Sequence, residues 1–233
     1  MKIYAIIPVW RRPEVTAITA KYLPVWVHPV YVLSEEDPEF EQNLKAIDAH
    51  EYCLFKNAPV SEKHNAGINY IRDREWDYMM TINSDGIINP SLIDIYNPFI
   101  SCGADLFGIN DLFVYDSVSK KSYYIDGYSD EICMGSGRMI SREVVEKMDG
   151  YVYPSNENSG LDTLSRNRVI ENGFTETVIK TDGSGYVLDI KSLCNINTFF
   201  MIKHQGHNLN EILNIEIIEK FGIRHEDKVF FNS

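Results

Sequence analysis

The first half of the chain alternates short β-branched segments with helix-forming segments, and this alternation constrains the fold more than any other feature. Strands are predicted at Lys2–Pro8, Pro29–Leu33, Glu51–Phe55 and Asp77–Ile82. Helices are predicted at Pro13–Leu23, Pro38–Ala49, Ser61–Arg74 and Pro90–Ile100. A βαβα order of this kind favours a mostly parallel central sheet with right-handed crossovers and helices on both faces. The sequence therefore predicts a Rossmann-like α/β fold.

The second half of the chain is less regular. The segments Leu112–Asp116 and Ser122–Asp126 predict a β-hairpin around a polar turn. Ser141 is suited to cap one helix, and a further helix is predicted at about Leu161–Asn172, ending at Gly173. No repeat or linker divides the 233 residues, so we expect a single domain with a regular half, 1–109, and an irregular half, 110–233.

The charge of the chain excludes some classes of partner. Its 34 acidic and 22 basic side chains give a formal net charge of −12, which would repel nucleic acid. A nucleotide is not excluded, because its diphosphate needs only a local metal ion or a few basic groups. The apolar runs are shorter than the roughly 20 residues that cross a bilayer, and we expect no membrane span. With no signal-peptide pattern and four cysteines lacking CxxC spacing, a cytoplasmic protein is expected.

Polar residues follow several of the predicted strands. In open α/β sheets the ligand binds beyond the carboxyl ends of the strands. The segments at these positions are Pro8–Arg12, Ser34–Asp37 and Asn83–Asp85. The sequence thus predicts a ligand site formed by these three segments.

Three segments near these strand ends resemble the GT-A glycosyltransferases, in particular the family-two enzymes. Ile6–Pro13 is similar to the opening strand of that family and Ser61–Ile68 to its helix with an Arg-Asn-x-Gly pattern. Asp77–Gly86 is similar to the strand that ends in Asp-x-Asp. In this chain His64 stands in place of the family's Arg, and Asn83 in place of the first Asp.

Two later segments extend the resemblance. Gly135–Arg142 is similar to the small-residue segment that faces the acceptor in these enzymes, and Gly135, Ser136 and Gly137 are its candidate acceptor-side residues. Ser159–Asp162 is similar to the acidic motif on the acceptor side. The resemblance implies a GT-A fold in which residues 1–109 bind the nucleotide and residues 110–233 form the acceptor side and the C-terminal segment.

The activity implied by the resemblance is transfer of a sugar from a nucleotide-diphosphate donor to a saccharide or other hydroxyl acceptor, with UDP as the favoured nucleotide. It also implies Mn²⁺ or Mg²⁺, which would stabilise the leaving diphosphate as a Lewis acid. Asp85 is the leading metal ligand, and His204 or His207 is expected to complete the shell. Alternatively, the segment Asn83–Gly86 is only a polar turn that caps the next helix.

Nucleotide contacts are expected from the residues that the resemblance places around the base and the phosphates. These are Pro8, Trp10, Arg11, Arg12, Glu36, Lys63, Asn65, Asn83 and Ser84. Trp10 is suited to stack on the base, or to cover the sheet edge. Glu36 or Asp37 would contact the ribose or base, or would cap the next helix.

Asp162 is implied as the general base that takes the proton of the acceptor hydroxyl, provided that the reaction inverts configuration. The alternative is an Asp in the first turn of a helix, where the helix dipole favours it. Asp130 and Glu131 are further candidates for the base.

Other functions compete with sugar transfer. A nucleotidyltransferase would share the layout, but its Gly-rich loop after the first strand is missing here. A catalytically inactive GT-A domain that binds carbohydrate or a protein partner is compatible with the His64 and Asn83 departures. An oxidoreductase is disfavoured because no GxGxxG follows the first strand. The sugar, the acceptor, the stereochemistry and the oligomeric state are not determined by the sequence.

Overall fold

The computed structural model describes residues 1–48, 50–127, 132–181, 183–193, 195, 199–204 and 209–232. The strands are β1 Ile3–Pro8, β2 Val27–Leu33, β3 Glu51–Leu54, β4 Tyr78–Thr81, β5 Gly86–Ile88, β6 Leu106–Ile109, β7 Leu112–Asp116, β8 Lys121–Ile125, β9 Met139–Ser141, β10 Glu176–Ile179, β11 Val187–Lys191 and β12 Leu209–Ile212. The helices are α1 Pro13–Lys21, α2 Phe40–Ala46, α3 Val60–Ile71, α4 Leu92–Ser101, α5 Arg142–Lys147, α6 Leu161–Glu171, α7 Phe199–His204, α8 Asn214–Lys220 and α9 Lys228–Asn232.

A seven-stranded sheet in the order β10-β6-β9-β4-β1-β2-β3 forms the centre of the molecule. All its neighbouring strands pair in parallel except at β9, which is antiparallel to β4 and β6. The predicted mostly parallel α/β sheet is therefore confirmed.

Side chains of β1 alternate between the two faces of this sheet, as a strand geometry requires. Ile3 and Ala5 belong to a buried cluster with residues of α1, α2 and α4. Tyr4 and Ile6 belong to a second cluster with residues of α3, α5 and α6. Helices cover both faces, as predicted, and strand β1 is apolar along its length because neither of its faces meets water.

A second, five-stranded sheet in the order β12-β8-β7-β11-β5 adjoins the first. The predicted hairpin is confirmed as β7 and β8, which pair antiparallel. Strands β5, β7 and β11 each follow a strand of the central sheet, namely β4, β6 and β10. The chain therefore crosses between the sheets at the carboxyl ends of these central strands, where the sequence predicts the site.

Two predicted helix starts need correction. Helix α2 begins at Phe40 instead of Pro38, because Asp37 Oδ1 accepts the Glu39 amide at 2.9 Å and forms a turn first. Helix α4 begins at Leu92 instead of Pro90, and Asn89 Oδ1 accepts the Ser91 amide at 2.9 Å. The predicted cap of α5 is confirmed.

Across the described part of the chain, no helix has both the length and the apolar character needed to cross a membrane.

Candidate active site

The loop after β1 is held in an unusual backbone conformation. Arg11 and Arg12 both have positive φ, 58° and 54°, a region that costs non-glycine residues of order 1 kcal/mol each. Two carboxylates hold the loop in place: Asp37 Oδ2 accepts the Arg11 amide at 2.6 Å, and Glu39 Oε2 accepts the Arg12 amide at 3.1 Å. The loop thereby directs the Arg12 side chain toward the end of β4.

Asp85 lies at that end of β4 and is surrounded by donors. Arg12 Nη1 is 3.1 Å from Asp85 Oδ2, and Arg12 Nη2 donates to Ser84 Oγ at 3.0 Å. Lys191 Nζ lies 3.7 Å from the same Asp85 oxygen and 2.6 Å from Asp189 Oδ2. Asn195 Nδ2 also donates to Asp85 Oδ2. Asp85 is thus the centre of a buried ionic cluster that joins both sheets.

The neighbouring charges in this cluster shift the pKa values of its ionisable side chains. Burial opposes ionisation of Asp85, but Arg12 and Lys191 outweigh it and lower the pKa of the carboxyl. For Asp189, burial and the neighbouring Asp85 charge raise the pKa to about 6. Burial lowers the pKa of Lys191, yet Asp189 and Asp85 reverse this and raise it. Asp85 and Lys191 are therefore both charged at neutral pH.

The side chains around Asp85 are a poor match for the divalent cation that the resemblance implies. Divalent cations prefer several oxygen ligands with net negative charge. Here two cations face two carboxylates, and Asn83 offers an amide in place of a carboxylate. Within the described residues no group of three or more His, Cys, Asp and Glu side chains could hold a metal ion. The described side chains alone therefore do not fit a metal.

The expected histidine ligands cannot be placed in this cluster. His204 is the last residue of α7, but its side chain is not among those described. His207, like the alternative bases Asp130 and Glu131, lies outside the described residues.

The turn interpretation of Asn83–Gly86 is wrong in one respect. The segment leads into β5 and not into a helix, because Gly86–Ile88 pairs antiparallel with β11. Its backbone still turns, with the Gly86 amide donating to Asn83 O at 2.8 Å. Asn83 and Ser84 therefore lie at the crossing between the two sheets.

Helix α3 carries Lys63, which is almost completely buried. Its Nζ donates to Val9 O at 2.5 Å and to Asn57 Oδ1 at 3.2 Å, and lies 5.8 Å from the Trp10 ring centroid. Burial lowers the pKa of Lys63 to about 8, although Asp37 raises it. Lys63 therefore stabilises the loop after β1 through its hydrogen bond to Val9 O, next to Trp10.

The next two residues of α3 pack inward. His64 is buried and stacks on Tyr153, with 4.6 Å between ring centroids. Asn65 uses both ends of its amide on the Tyr153 backbone: Nδ2 donates to the carbonyl at 2.8 Å, and Oδ1 accepts from the N–H at 3.0 Å. These contacts of Asn65 are structural, and its nucleotide contact stays a prediction.

The two acidic residues after β2, Glu36 and Asp37, have different surroundings. Asp37 is buried, and its carboxylate accepts the amides of Arg11 and Glu39 and the Asn43 side chain. Glu36 is exposed, and its Oε2 accepts the Asn57 amide at 3.1 Å. Asp37 therefore shapes the loop, whereas Glu36 is the member of the pair that solvent and a ligand can reach.

The Gly-rich segment passes between Asp85 and Asp162. The Gly137 amide donates to Thr81 O at 2.8 Å, which ties the segment to β4. A Cβ on Gly86 would lie 2.9 Å from Ser136 Oγ. On the other side, the Gly135 amide donates to Asp162 Oδ2 at 3.0 Å.

Glycine is required at position 135 because the Asp162 carboxylate lies directly against it. A Cβ there would be 2.2 Å from Asp162 Oδ1. Fully buried Arg138 fixes the same helix end, since its Nη1 donates to the Asp162 carbonyl at 3.0 Å and to Ser165 Oγ at 2.9 Å. Asp162 is in the first turn of α6, so the helix-dipole interpretation and a catalytic role are both compatible with its position.

Most of the predicted site residues thus lie along one edge of the central sheet, at the carboxyl ends of its parallel strands. Arg12 contacts Ser84 and Asp85, and the Gly-rich segment lies between Gly86 and Asp162. Pro8 is the last residue of β1. Trp10 lies beside Lys63 and beside Arg11, and the Arg11 guanidinium is 5.7 Å from the Trp10 ring centroid.

The sequence does not predict three residues of this cluster, namely Lys191, Asp189 and Asn195. Strand β11 reads Val-Leu-Asp-Ile-Lys, and this alternation places Asp189 and Lys191 on one face with Leu188 and Ile190 on the other. The alternation was a usable signal for the strand. Nothing local indicated that its polar face meets Asp85.

Comparison with known proteins supports the fold. No family model and no curated protein matches the sequence. The crystal structure of S. aureus TarS 1-349 matches with a TM-score of 0.55 and 14% identity, covering 82% of this chain and 60% of that chain. The same TarS region in complex with UDP-GlcNAc matches with a TM-score of 0.54 and 13% identity, covering 99% of this chain and 78% of that one.

A third match is TarS 1-349 in complex with UDP, with a TM-score of 0.52 and 14% identity over 82% of this chain and 61% of that one. In the first and third matches this chain spans less than two thirds of the TarS chain. Identities this low establish the fold alone. The GT-A-like glycosyltransferase fold that the resemblance implied is confirmed.

Proposed function

We propose that this chain is a nucleotide-sugar-dependent glycosyltransferase of the hexosyltransferase type, acting on a hydroxyl acceptor. One observation supports this most: the Gly-rich segment lies between Gly86, which follows Asp85 at the expected diphosphate site, and Asp162, the candidate base, whose Oδ2 accepts the Gly135 amide. The fold is also shared with TarS, whose crystal structures include complexes with UDP and UDP-GlcNAc. A uridine nucleotide is accordingly the first donor to test.

The reaction assigns distinct tasks to the diphosphate site and to Asp162. The acceptor oxygen forms a bond to the anomeric carbon of the donor while its proton passes to the Asp162 carboxylate. The bond from that carbon to the diphosphate oxygen breaks, and its electron pair leaves with the nucleoside diphosphate. Gly135 holds one Asp162 oxygen through its amide at 3.0 Å, which orients the carboxylate for proton transfer.

Participation of Mn²⁺ or Mg²⁺ stays a prediction of the sequence. The described side chains around Asp85 do not by themselves favour it, and assays with and without Mn²⁺ test it. When bound, such a cation would supply Lewis-acid stabilisation of the leaving diphosphate.

A thermal-shift panel tests donor binding. Nucleoside diphosphates and their sugars are added to the natural chain with and without Mn²⁺, because a ligand that binds only the folded state raises the melting temperature. We expect UDP and a UDP-sugar to raise it. If no nucleotide of the panel raises it, the proposal fails and the inactive carbohydrate-binding or partner-binding domain gains support.

Turnover is tested separately with Asp162→Asn. Release of UDP from the stabilising UDP-sugar should fall about 100-fold or more, as removal of a general base does, while the thermal shift by UDP persists. Asp149→Asn, which alters an exposed Asp paired with Arg72, is the matched control and should keep the natural rate. Equal rates in the natural chain and Asp162→Asn would remove Asp162 from the mechanism.

A further inference from the structure

Arg12, which is partly buried, and Lys191, which is buried, form a pair of cations that converge on one oxygen. Their charged nitrogens lie 3.1 Å and 3.7 Å from Asp85 Oδ2. The side chain of Arg12 is 16% exposed and that of Lys191 8% exposed. Because water screens such charges little, each of them interacts strongly with an oxygen within its reach.

The pair is held in place before any ligand arrives. Asp189 Oδ2 accepts from Lys191 Nζ at 2.6 Å, and the positive-φ loop fixes the backbone of Arg12. Positive φ at two successive arginines is a strained arrangement, and strain of this kind concentrates at functional sites. Ordered cations need less reorganisation to stabilise a developing negative charge.

One donor of this pair is unsatisfied. Arg12 Nε is buried and has no hydrogen-bond partner among the described residues. A buried donor without a partner is costly and calls for an explanation, of which a catalytic role is one. The guanidinium therefore has one N–H that is used by neither Ser84 nor Asp85.

The arrangement around Asp85 matches the needs of a leaving diphosphate. As the sugar is transferred, negative charge grows on the diphosphate oxygens and needs cationic partners. Arg offers a planar fork of donors for phosphate oxygens and Lys offers a compact charge. The N-terminus of α1 follows Arg12 directly and adds its dipole at the same place.

We propose that Arg12 and Lys191 bind the diphosphate of the donor and take the part that a divalent cation was expected to play, with Asp85 holding the two cations in position until the diphosphate replaces it. This inference rests on the proposed function. It assigns Lys191, a residue outside every motif of the sequence, to the donor site. It also explains why Asn83 suffices where the resemblance would require a carboxylate.

Calorimetric titration with UDP and with inorganic pyrophosphate tests the inference. The natural chain should bind both in buffer containing EDTA. Lys191→Gln should weaken both about 10- to 100-fold, the range for a lost charge-assisted hydrogen bond. Lys121→Gln is the matched control: it removes a half-exposed lysine paired with Glu211 on the same sheet, and binding should be unchanged.

Folding defects are separated from lost binding by two further variants. Lys191→Gln leaves Asp189 without its cation, so Lys191→Gln combined with Asp189→Asn restores the charge balance. Lys191→Arg keeps the positive charge and should recover most of the affinity. Circular dichroism spectra should be the same for all variants, and the double variant should bind UDP as weakly as Lys191→Gln.

Each outcome has a distinct meaning. Binding of UDP only when Mn²⁺ is present would overturn this inference and leave the proposed function standing. Unchanged or tighter binding by Lys191→Gln in buffer containing EDTA would also overturn it, because the charge of Lys191 would then add nothing to diphosphate binding. If UDP and pyrophosphate bind neither with EDTA nor with Mn²⁺ present, this inference fails, whereas the proposed function fails only if no other nucleotide of the thermal-shift panel binds either.

Discussion

Replacement of His64, the buried histidine of α3, should remove part of the protein's sensitivity to acid. Its Nδ1 is buried and has no hydrogen-bond partner among the described residues, and its ring stacks on Tyr153. Burial, and to a smaller extent the charge of Lys63, lowers the pKa of His64 from 6.5 to about 3. The folded protein thus keeps the imidazole neutral at pH values where the unfolded chain protonates it.

The two pKa values determine the size of the effect. Between pH 6.5 and about 3 the unfolded chain binds more protons than the folded one, so the free energy of unfolding falls as the pH falls. Acidification from neutral pH to about pH 5 should cost about 2 kcal/mol through His64 alone, since each pKa unit is worth about 1.4 kcal/mol. Other titrating groups add their own slopes, which a comparison of variants cancels.

Urea denaturation of the natural chain and of His64→Gln, at neutral pH and near pH 5, measures this difference. We expect the variant to lose about 2 kcal/mol less than the natural chain over the interval, whatever its stability at neutral pH. His28→Gln, which removes an exposed histidine from β2, should retain the steep loss. Parallel pH dependence for His64→Gln and the natural chain would refute the argument that burial keeps this imidazole neutral.

Three further predictions concern the Gly-rich segment and the cysteines. Gly135→Ala should abolish sugar transfer, because a Cβ would lie 2.2 Å from Asp162 Oδ1; a variant as active as the natural chain in a UDP-release assay would contradict this. Arg138→Met should lower the free energy of unfolding by about 3 kcal/mol, because buried carbonyls lose their donor; a urea denaturation change below about 1 kcal/mol would show that these bonds matter little. Iodoacetamide should label exposed Cys102 and spare Cys133, which is buried and whose pKa burial raises; mass mapping that finds native Cys133 labelled would reject this.

The central sheet was predictable because its strands carry a local signal. Ile3–Pro8 is an uninterrupted apolar run, as expected of a strand buried on both faces. The three-residue strand β5 was missed, since a segment so short has no measurable periodicity. The second sheet as a whole depends on pairing between segments distant in sequence, such as Gly86–Ile88 with β11, and such pairing leaves no local pattern.

The site was predictable to the extent that it follows strand ends and motifs. The sequence predicts roles for Arg12, Asp85 and Asp162, and the structure pairs Arg12 with Asp85 and places the Gly-rich segment between Gly86 and Asp162. Their surroundings were not foreseeable. Besides Arg12, the charge of Asp85 meets Lys191, which follows it by more than a hundred residues of chain and is brought near by the pairing of β5 with β11.

Two backbone amides near the crossing between the sheets can report on how a ligand binds. The Ile82 amide donates to Ile6 O of the central sheet at 3.2 Å, and the Ile190 amide of the second sheet donates to Asp85 O at 2.8 Å. These two N–H groups lie on opposite sides of one short segment. Hydrogen exchange at both should slow together when a ligand bridges the sheets, and at only one when the ligand rests on a single sheet. The protein thus contains a built-in pair of probes that separates a bridging ligand from a one-sided one without any label.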